Sequence, residues 1–254
     1  MKILLTAGGT TEKIDEVRGI TNHSSGRLGV AIASELLTHD ARIDYVTTTS
    51  ALLPPENPQI SQHLIDSTQE LATTMATLLQ EKHYDAVIHS MAVSDFTPTS
   101  SVSQEQFLKA LNSQLEQLPE KQLTQENFKD LLLQLSDHTV ATTKISSNTE
   151  HLVVILEQTP KVIQQIKQLQ PETLLIGFKL LVDVSQEELF AVAKKNLTSN
   201  QADYILANDL TSITATKHLG YLIDKDGVVA SGQTKQEIAQ IIVQTISEQI
   251  GAVS

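Results

Sequence analysis

Short apolar runs alternate with segments of helical spacing along most of this chain, and that alternation constrains its fold most strongly. Residues 2–7 form an apolar run stopped by Gly8-Gly9, as expected of a buried strand before a tight turn. Residues 28–37 carry apolar side chains at helical spacing, with Ser24 or Ser25 available as the N-cap. Residues 42–48 read as a second strand, and Pro54-Pro55 with Pro58 marks a surface loop. Residues 67–80 read as a helix opened by a hydroxyl cap, and residues 85–92 as a third strand. The pattern resumes later, with strands at 152–156, 174–178 and 203–207 and helices from about Pro160 and over 186–197. This predicts an α/β, Rossmann-like fold whose mostly parallel sheet has helices on both faces. Residues 220–223 and 228–231 flank Asp226-Gly227, which predicts a C-terminal β-hairpin before a closing helix at 235–250.

Between residues 99 and 143 the pattern changes. The stretch is rich in Gln, Ser and Leu, with helices expected over 104–117 and 125–134. It is read as an insertion or flap within a single domain spanning 1–254. No run approaches the roughly 18 apolar residues of a membrane span. The apolar run at the N-terminus is too short for a signal peptide and reads as the first strand. The chain has no Cys, which removes disulfides, thiolate metal sites and a Cys nucleophile, and suits a reducing cytoplasm. A formal charge of −12 argues against general nucleic-acid binding, so any phosphate site must be built locally.

In parallel sheets of this kind ligands bind outside the carboxyl ends of the strands. Gly8-Gly9 and Ala92-Val93-Ser94-Asp95 both fall at such ends. A Gly pair after a strand lets backbone N–H groups approach an anion, although a plain tight turn explains it equally well. The G-x-G-x-x-G spacing is missing, and the second strand runs into Thr47-Thr48-Thr49 with no carboxylate for a ribose. Both facts count against an NAD(P)-dependent oxidoreductase. Arg18 to Gly26 (Arg-Gly-Ile-Thr-Asn-His-Ser-Ser-Gly) packs hydrogen-bonding groups before a helix, where N–H groups and the dipole favour an anion. The competing reading is a helix cap with spare polar residues, but Arg18 and Asn22, four apart, could share one carboxylate or phosphate. Eight His are present without a pair at metal spacing, so no protein-only metal site is expected. Asp95, at a strand end, is a candidate for holding a phosphate ligand or its cation, or else a turn cap.

Gly8-Gly9-Thr10, Ile14-Asp15, Val17-Arg18 and Ile20-Thr21-Asn22-His23-Ser24-Ser25-Gly26 closely resemble the opening of the phosphopantothenate–cysteine ligases. The resemblance continues in order through Ala92-Val93-Ser94-Asp95, Lys144-Ile145-Ser146-Ser147, Thr159-Pro160-Lys161, Ile176-Gly177-Phe178 and Ala207-Asn208-Asp209, spanning most of the chain. The blocks at 144–147 and 177–183 resemble the stand-alone bacterial form, without the flavin-dependent decarboxylase fused to it in many bacteria.

The resemblance implies an acid–amino-acid ligase of coenzyme A biosynthesis. It would join 4′-phosphopantothenate to L-cysteine using CTP and Mg²⁺, through an acyl-cytidylate, releasing CMP and pyrophosphate, as a cytoplasmic homodimer with no membrane or nucleic-acid partner. Asn22 then matches the residue that binds the acyl group, Arg18 one that supports the same site across a dimer interface, and Lys144 one that neutralises phosphate charge. The implied substrate and nucleotide contacts are Gly8, Gly9, Thr10, Ser24, Ser25, Gly26, His89, Ser90, Met91, Ala92, Asp95, Pro160, Lys161, Val162, Ile163 and Phe178. Asn196 and Asn200 stand where many fused relatives carry two triphosphate lysines, and the adjacent Lys194 and Lys195 are taken as their replacements. The stretch between Asp95 and Lys144 is longer than in those relatives and is expected to close over the acyl-nucleotide and exclude water. The rival classes are the oxidoreductase and a non-catalytic nucleotide-binding partner of a separate decarboxylase.

Overall fold

The structure, a computed structural model, describes residues 1–137, 149–214 and 216–253. In chain order the elements begin with β1 (Lys2–Thr6), β2 (Thr11–Lys13), β3 (Gly19–Thr21), α1 (Arg27–Thr38), β4 (Arg42–Thr47), β5 (Ile60–Leu64), α2 (Thr68–Glu81) and β6 (Ala86–His89). Next come β7 (Phe96–Ser103), α3 (Gln104–Gln117), α4 (Gln125–Asp137), β8 (Leu152–Gln158), α5 (Val162–Leu169) and β9 (Leu174–Leu181). The chain closes with α6 (Gln186–Asn200), β10 (Tyr204–Asp209), β11 (Gly220–Ile223), β12 (Val228–Gly232) and α7 (Lys235–Val253). It divides into two compact units. No helix among the described residues is long and apolar enough to cross a membrane.

The first unit comprises Met1–Thr10, Asn22–Val93 and Pro160–Ser254. Its eight-stranded sheet runs in the order β12-β11-β10-β9-β6-β1-β4-β5. All pairs from β10 to β5 are parallel, while β11 and β12 add antiparallel at one edge as the expected hairpin. Ile32 and Leu36 of α1 and Ile238 and Ile242 of α7 bury one face. Leu71 and Met75 of α2, Val162 and Ile166 of α5 and Leu189 of α6 bury the other. From β1 the chain builds outward to β4 and β5, then returns to β6 and builds the opposite way through β9 and β10. The strand order therefore reverses between β1 and β6, the position where sheets of this class open a crevice at their carboxyl ends.

Two local expectations fare differently. Ser67 caps α2 as read, its hydroxyl accepting from the Glu70 N–H at 3.2 Å. Ser24 and Ser25 do not cap α1. The N-cap is Gly26, with φ 72° and no side-chain cap bond. A left-handed residue there is easiest as glycine, and it leaves the first N–H groups of α1 without a capping side chain. β5, an edge strand with a polar sequence, was absent from the sequence reading.

In β4, beside β5, Asp44 is buried and accepts hydrogen bonds from Lys82 Nζ at 2.7 Å, His63 Nε2 at 2.8 Å and Tyr84 Oη at 2.9 Å. Burial alone would raise its pKa; the three donors and the Lys82 charge outweigh that and hold it below the usual carboxylate value.

The second unit comprises Thr11–Thr21 and Ser94–Thr159. β2 and β3 form one short antiparallel pair, and β7 and β8 a second. β8 was read as a resumption of the main sheet; it pairs instead with β7, across the intervening helices. Val102 of β7 and Val153 and Ile155 of β8 pack against Leu131 and Leu135 of α4 and Phe107 and Leu111 of α3. Ser103 and Gln106 close a reciprocal capping box at the start of α3. The described part of 99–143 lies within this unit.

Candidate active site

The candidate site grows from the strand reversal in the first unit. β1 and β6 continue to hold each other beyond their ends. The Ala92 N–H donates to the Gly8 carbonyl at 2.9 Å, the Thr10 N–H to the Ala92 carbonyl at 3.1 Å, and Gly9 bridges Ala92 in parallel register. The loop 8–10 and the segment 89–93 are thus one ordered rim. Asn22 is sewn onto both. Its backbone N–H donates to the Thr10 carbonyl at 3.3 Å, and its side-chain Nδ2 to the Val93 carbonyl at 2.9 Å. A Cβ on residue 9 would overlap the Asn22 carbonyl oxygen, so glycine is what permits this approach.

The half-buried Asn22 amide has one N–H engaged by Val93; its second N–H and Oδ1 have no partner among the described residues. Such an amide is oriented and still has a donor to give. Ser24 and Ser25, without hydroxyl partners among the described residues, lead into the uncapped N-terminus of α1, and the Ser25 carbonyl accepts from the Leu52 N–H at 3.0 Å. Uncapped N–H groups with the helix dipole behind them suit an anion.

On the β6 side, Ser90 Oγ donates to the Thr6 carbonyl at 2.6 Å and the Met91 N–H donates to Thr6 Oγ1 at 3.3 Å. Thr6 Oγ1 also lies 3.1 Å from His89 Nδ1. Burial pushes His89 down to about 4, so its imidazole is neutral near pH 7. Thr10 Oγ1 lies 3.2 Å from Thr68 Oγ1, tying the glycine loop to the first turn of α2. Met91, Val162 and Ile163 pack on the α2/α5 face below this rim, with Pro160 and Lys161 exposed just before α5. Phe178 is half-buried on the opposite, α1/α7 face. Lys194 and Lys195 are exposed on α6, about two turns beyond its first residue, and take no part in this bonded rim.

Arg18 and Asp95 belong to the second unit. Asp15, its side chain fully buried, accepts Arg18 Nε at 3.0 Å and Nη2 at 2.5 Å with one oxygen, and the N–H groups of Val17 and Arg18 with the other. The Arg18 guanidinium is thereby fixed by a local carboxylate. Asp95 is exposed, and its carbonyl accepts from the Thr159 N–H at 3.0 Å. Lys144 lies outside the described residues.

Thr6 and Val93 were missed in the sequence. Each acts through a bond to a residue more than 70 positions away, Thr6 to His89 and Val93 to Asn22, which spacing does not reveal.

The neutral histidines have a thermodynamic consequence. His89 and His218 both have folded pKa values depressed to about 4, against about 6.5 in an unfolded chain. As pH falls from 6.5 towards 4 the unfolded state binds protons that the folded state refuses. Stability is therefore full above 6.5 and falls through that window by up to about 1.4 kcal/mol per pH unit for each histidine. Urea unfolding is expected to give a lower midpoint at pH 5 than at pH 7. Equal midpoints would contradict the buried, neutral assignment.

The sequence pattern of the DNA/pantothenate metabolism flavoprotein C-terminal domain matches residues 1–139 and 133–250. The coenzyme A biosynthesis bifunctional protein CoaBC of Thermococcus kodakarensis is 30% identical over 250 residues, covering 98% of this chain and 51% of that protein. Its counterpart in Methanocaldococcus jannaschii is 28% identical over 253 residues, covering 97% and 50%. The chain thus spans about half the length of the curated relatives it matches. The crystal structure of the DNA/pantothenate metabolism flavoprotein from Streptococcus pneumoniae superimposes with a TM-score of 0.84 at 39% identity, covering 98% of this chain and 99% of that one. The C-terminal domain of a CoaBC protein does so with a TM-score of 0.66 at 25% identity, covering 99% and 96%. Sequence pattern, similarity along nearly all of this chain and fold agree: the chain belongs to the family of the DNA/pantothenate metabolism flavoprotein C-terminal domain.

Proposed function

We propose that this chain is a phosphopantothenate–cysteine ligase that uses CTP. The observation that carries the reading is Asn22, bonded through its backbone to the loop after β1 and through its amide to the segment after β6, with a second amide N–H that no described residue takes up. The relatives' place in coenzyme A biosynthesis supports the substrate class.

A carboxylate is a poor electrophile and must be activated. In the proposed reaction one carboxylate oxygen of 4′-phosphopantothenate attacks the α-phosphorus of CTP, and the bond to the bridging oxygen breaks as pyrophosphate leaves. The cysteine amine then attacks the acyl carbon, its proton is lost, and the carbon–oxygen bond to CMP breaks to leave the amide. Charge builds on the carbonyl oxygen in the second step, and the second N–H of Asn22 is the donor assigned to it. Its tether to Val93 means that little reorganisation is needed when the charge appears.

The uncapped start of α1 and the glycine loop are assigned to the triphosphate. Lys144 is assigned the neutralisation of phosphate charge and Arg18 a supporting role. Mg²⁺ would be held mainly by the triphosphate oxygens, with Asp95 as a candidate protein ligand, and would screen their charge.

The test is to incubate the protein with Mg²⁺, 4′-phosphopantothenate, cysteine and either CTP or ATP. The expected products are the amide, pyrophosphate and CMP. A nucleoside diphosphate with orthophosphate, or no amide with either nucleotide, would overturn the reading.

A further inference from the structure

We propose that His218 is a positioning residue for Asn208, and that the pair presents the asparagine N–H₂ group to an acceptor atom of the nucleotide. The ligand's identity rests on the ligase reading; the orientation of the two side chains does not. Asn208 sits near the carboxyl end of β10, opposite Leu180 of β9. Two residues earlier, Leu206 lies opposite Phe178, and both pack on the α1/α7 face. Asn208 shares that face, one step nearer the rim. The rim is open beside it, since Leu180 is 46% exposed.

His218 comes from the segment before β11, its backbone N–H held by the Gln233 carbonyl at 2.8 Å. Its Nε2 is 3.2 Å from the Asn208 amide. Its Nδ1 is buried with no hydrogen-bond partner among the described residues. Two arrangements fit these heavy atoms, because an amide can be turned by half a revolution without changing its shape. In one, Asn208 N–H donates to Nε2, and the ring proton is stranded on buried Nδ1. In the other, Nε2–H donates to Asn208 Oδ1, and Nδ1 keeps only a bare lone pair. A stranded buried N–H is the costlier defect, which selects the second arrangement. Burial, aided by the Lys235 charge, holds His218 down at about 4, so one ring nitrogen alone is protonated near neutrality. The amide end turned away from His218 is then a donor. It makes no hydrogen bond to a described residue, and the rim beside it is open at Leu180.

The orientation can be read without ligand. Long-range ¹⁵N–¹H correlation on ¹⁵N-histidine protein is expected to show His218 as the Nε2–H tautomer; the Nδ1–H tautomer would overturn the assignment. In steady-state assays His218→Leu is expected to raise the KM for CTP about tenfold, with kcat changed by no more than about threefold. His218→Gln, whose amide can again donate to Asn208 Oδ1, is expected to recover most of that loss. Asn208→Asp, which replaces the donor with a carboxylate, is expected to raise the KM at least as far as His218→Leu does. A wild-type KM for Asn208→Asp, or for folded His218→Leu, would overturn the proposal. Should His218→Leu fail to fold, the tautomer and Asn208→Asp still decide. A wild-type protein inert with every nucleotide would sink the ligase reading instead, and the tautomer would decide the side-chain pair alone.

Discussion

Asn22→Ala is expected to lower kcat by about 10²–10³-fold, equivalent to ~2.7–4 kcal/mol, the usual consequence of removing one preorganised donor from a developing oxyanion. The fold should survive. What is lost structurally is one hydrogen bond, to the Val93 carbonyl, worth about 1 kcal/mol. In a chain of this size that lowers Tm by about 2–4 °C. Asn22→Asp separates the two contributions. It keeps the shape but turns an acceptor towards the Val93 carbonyl, so it should be at least as inactive as the alanine variant and less stable. A kcat for Asn22→Ala near that of the wild type would remove Asn22 from the reaction.

The second large effect is on stability. Asp44→Ala is expected to destabilise the protein by about 3 kcal/mol, the lower end for breaking a buried ion pair. The lower end applies because the Lys82 side chain is 33% exposed and can turn to water. The buried Tyr84 hydroxyl loses its acceptor and has no such escape. Equilibrium urea unfolding checks this, and turnover per folded molecule should stay at the wild-type value. The pH dependence has a definite sign. Because the folded pKa of Asp44 is depressed, its contribution is complete above the unfolded carboxylate value of about 3.9 and is lost only as pH falls below it. Acid unfolding should therefore steepen below pH 4 in the wild type and less so in Asp44→Ala. A variant as stable as wild type at pH 7 would mean that Lys82, His63 and Tyr84 find other partners at no cost.

How much of this was legible depended on the range of the interaction that decides each element. α2 with its Ser67 cap, and the β11–β12 hairpin around Asp226-Gly227, are written in consecutive residues and were read correctly. β5, with the sequence Ile-Ser-Gln-His-Leu, reads as loop because its strand character comes from pairing with β4 at the sheet edge. β8 looks like any apolar strand, and only the structure shows that its partner is β7. The α1 cap was misassigned because serine is the commoner cap, whereas here Gly26 adopts the left-handed conformation. At the site, Gly8-Gly9 and Ala92 to Asp95 read as lying at strand ends from the pattern alone, whereas His89, Ser90 and Met91 came only with the family resemblance. The Asn22–Val93 bond came from neither, since it joins residues 71 apart. Nor did the pairing of Asn208 with His218, where a side chain quoted only as part of a motif acquires its partner from a separate loop.

The most direct test of nucleotidyl activation follows the carboxylate oxygen. With 4′-phosphopantothenate labelled by ¹⁸O in its carboxylate, one turnover with CTP and cysteine is predicted to deliver one ¹⁸O atom to the phosphate of CMP, because that oxygen attacked the α-phosphorus and left with it. Label recovered in orthophosphate, or CMP formed without label while the amide accumulates, would contradict the account.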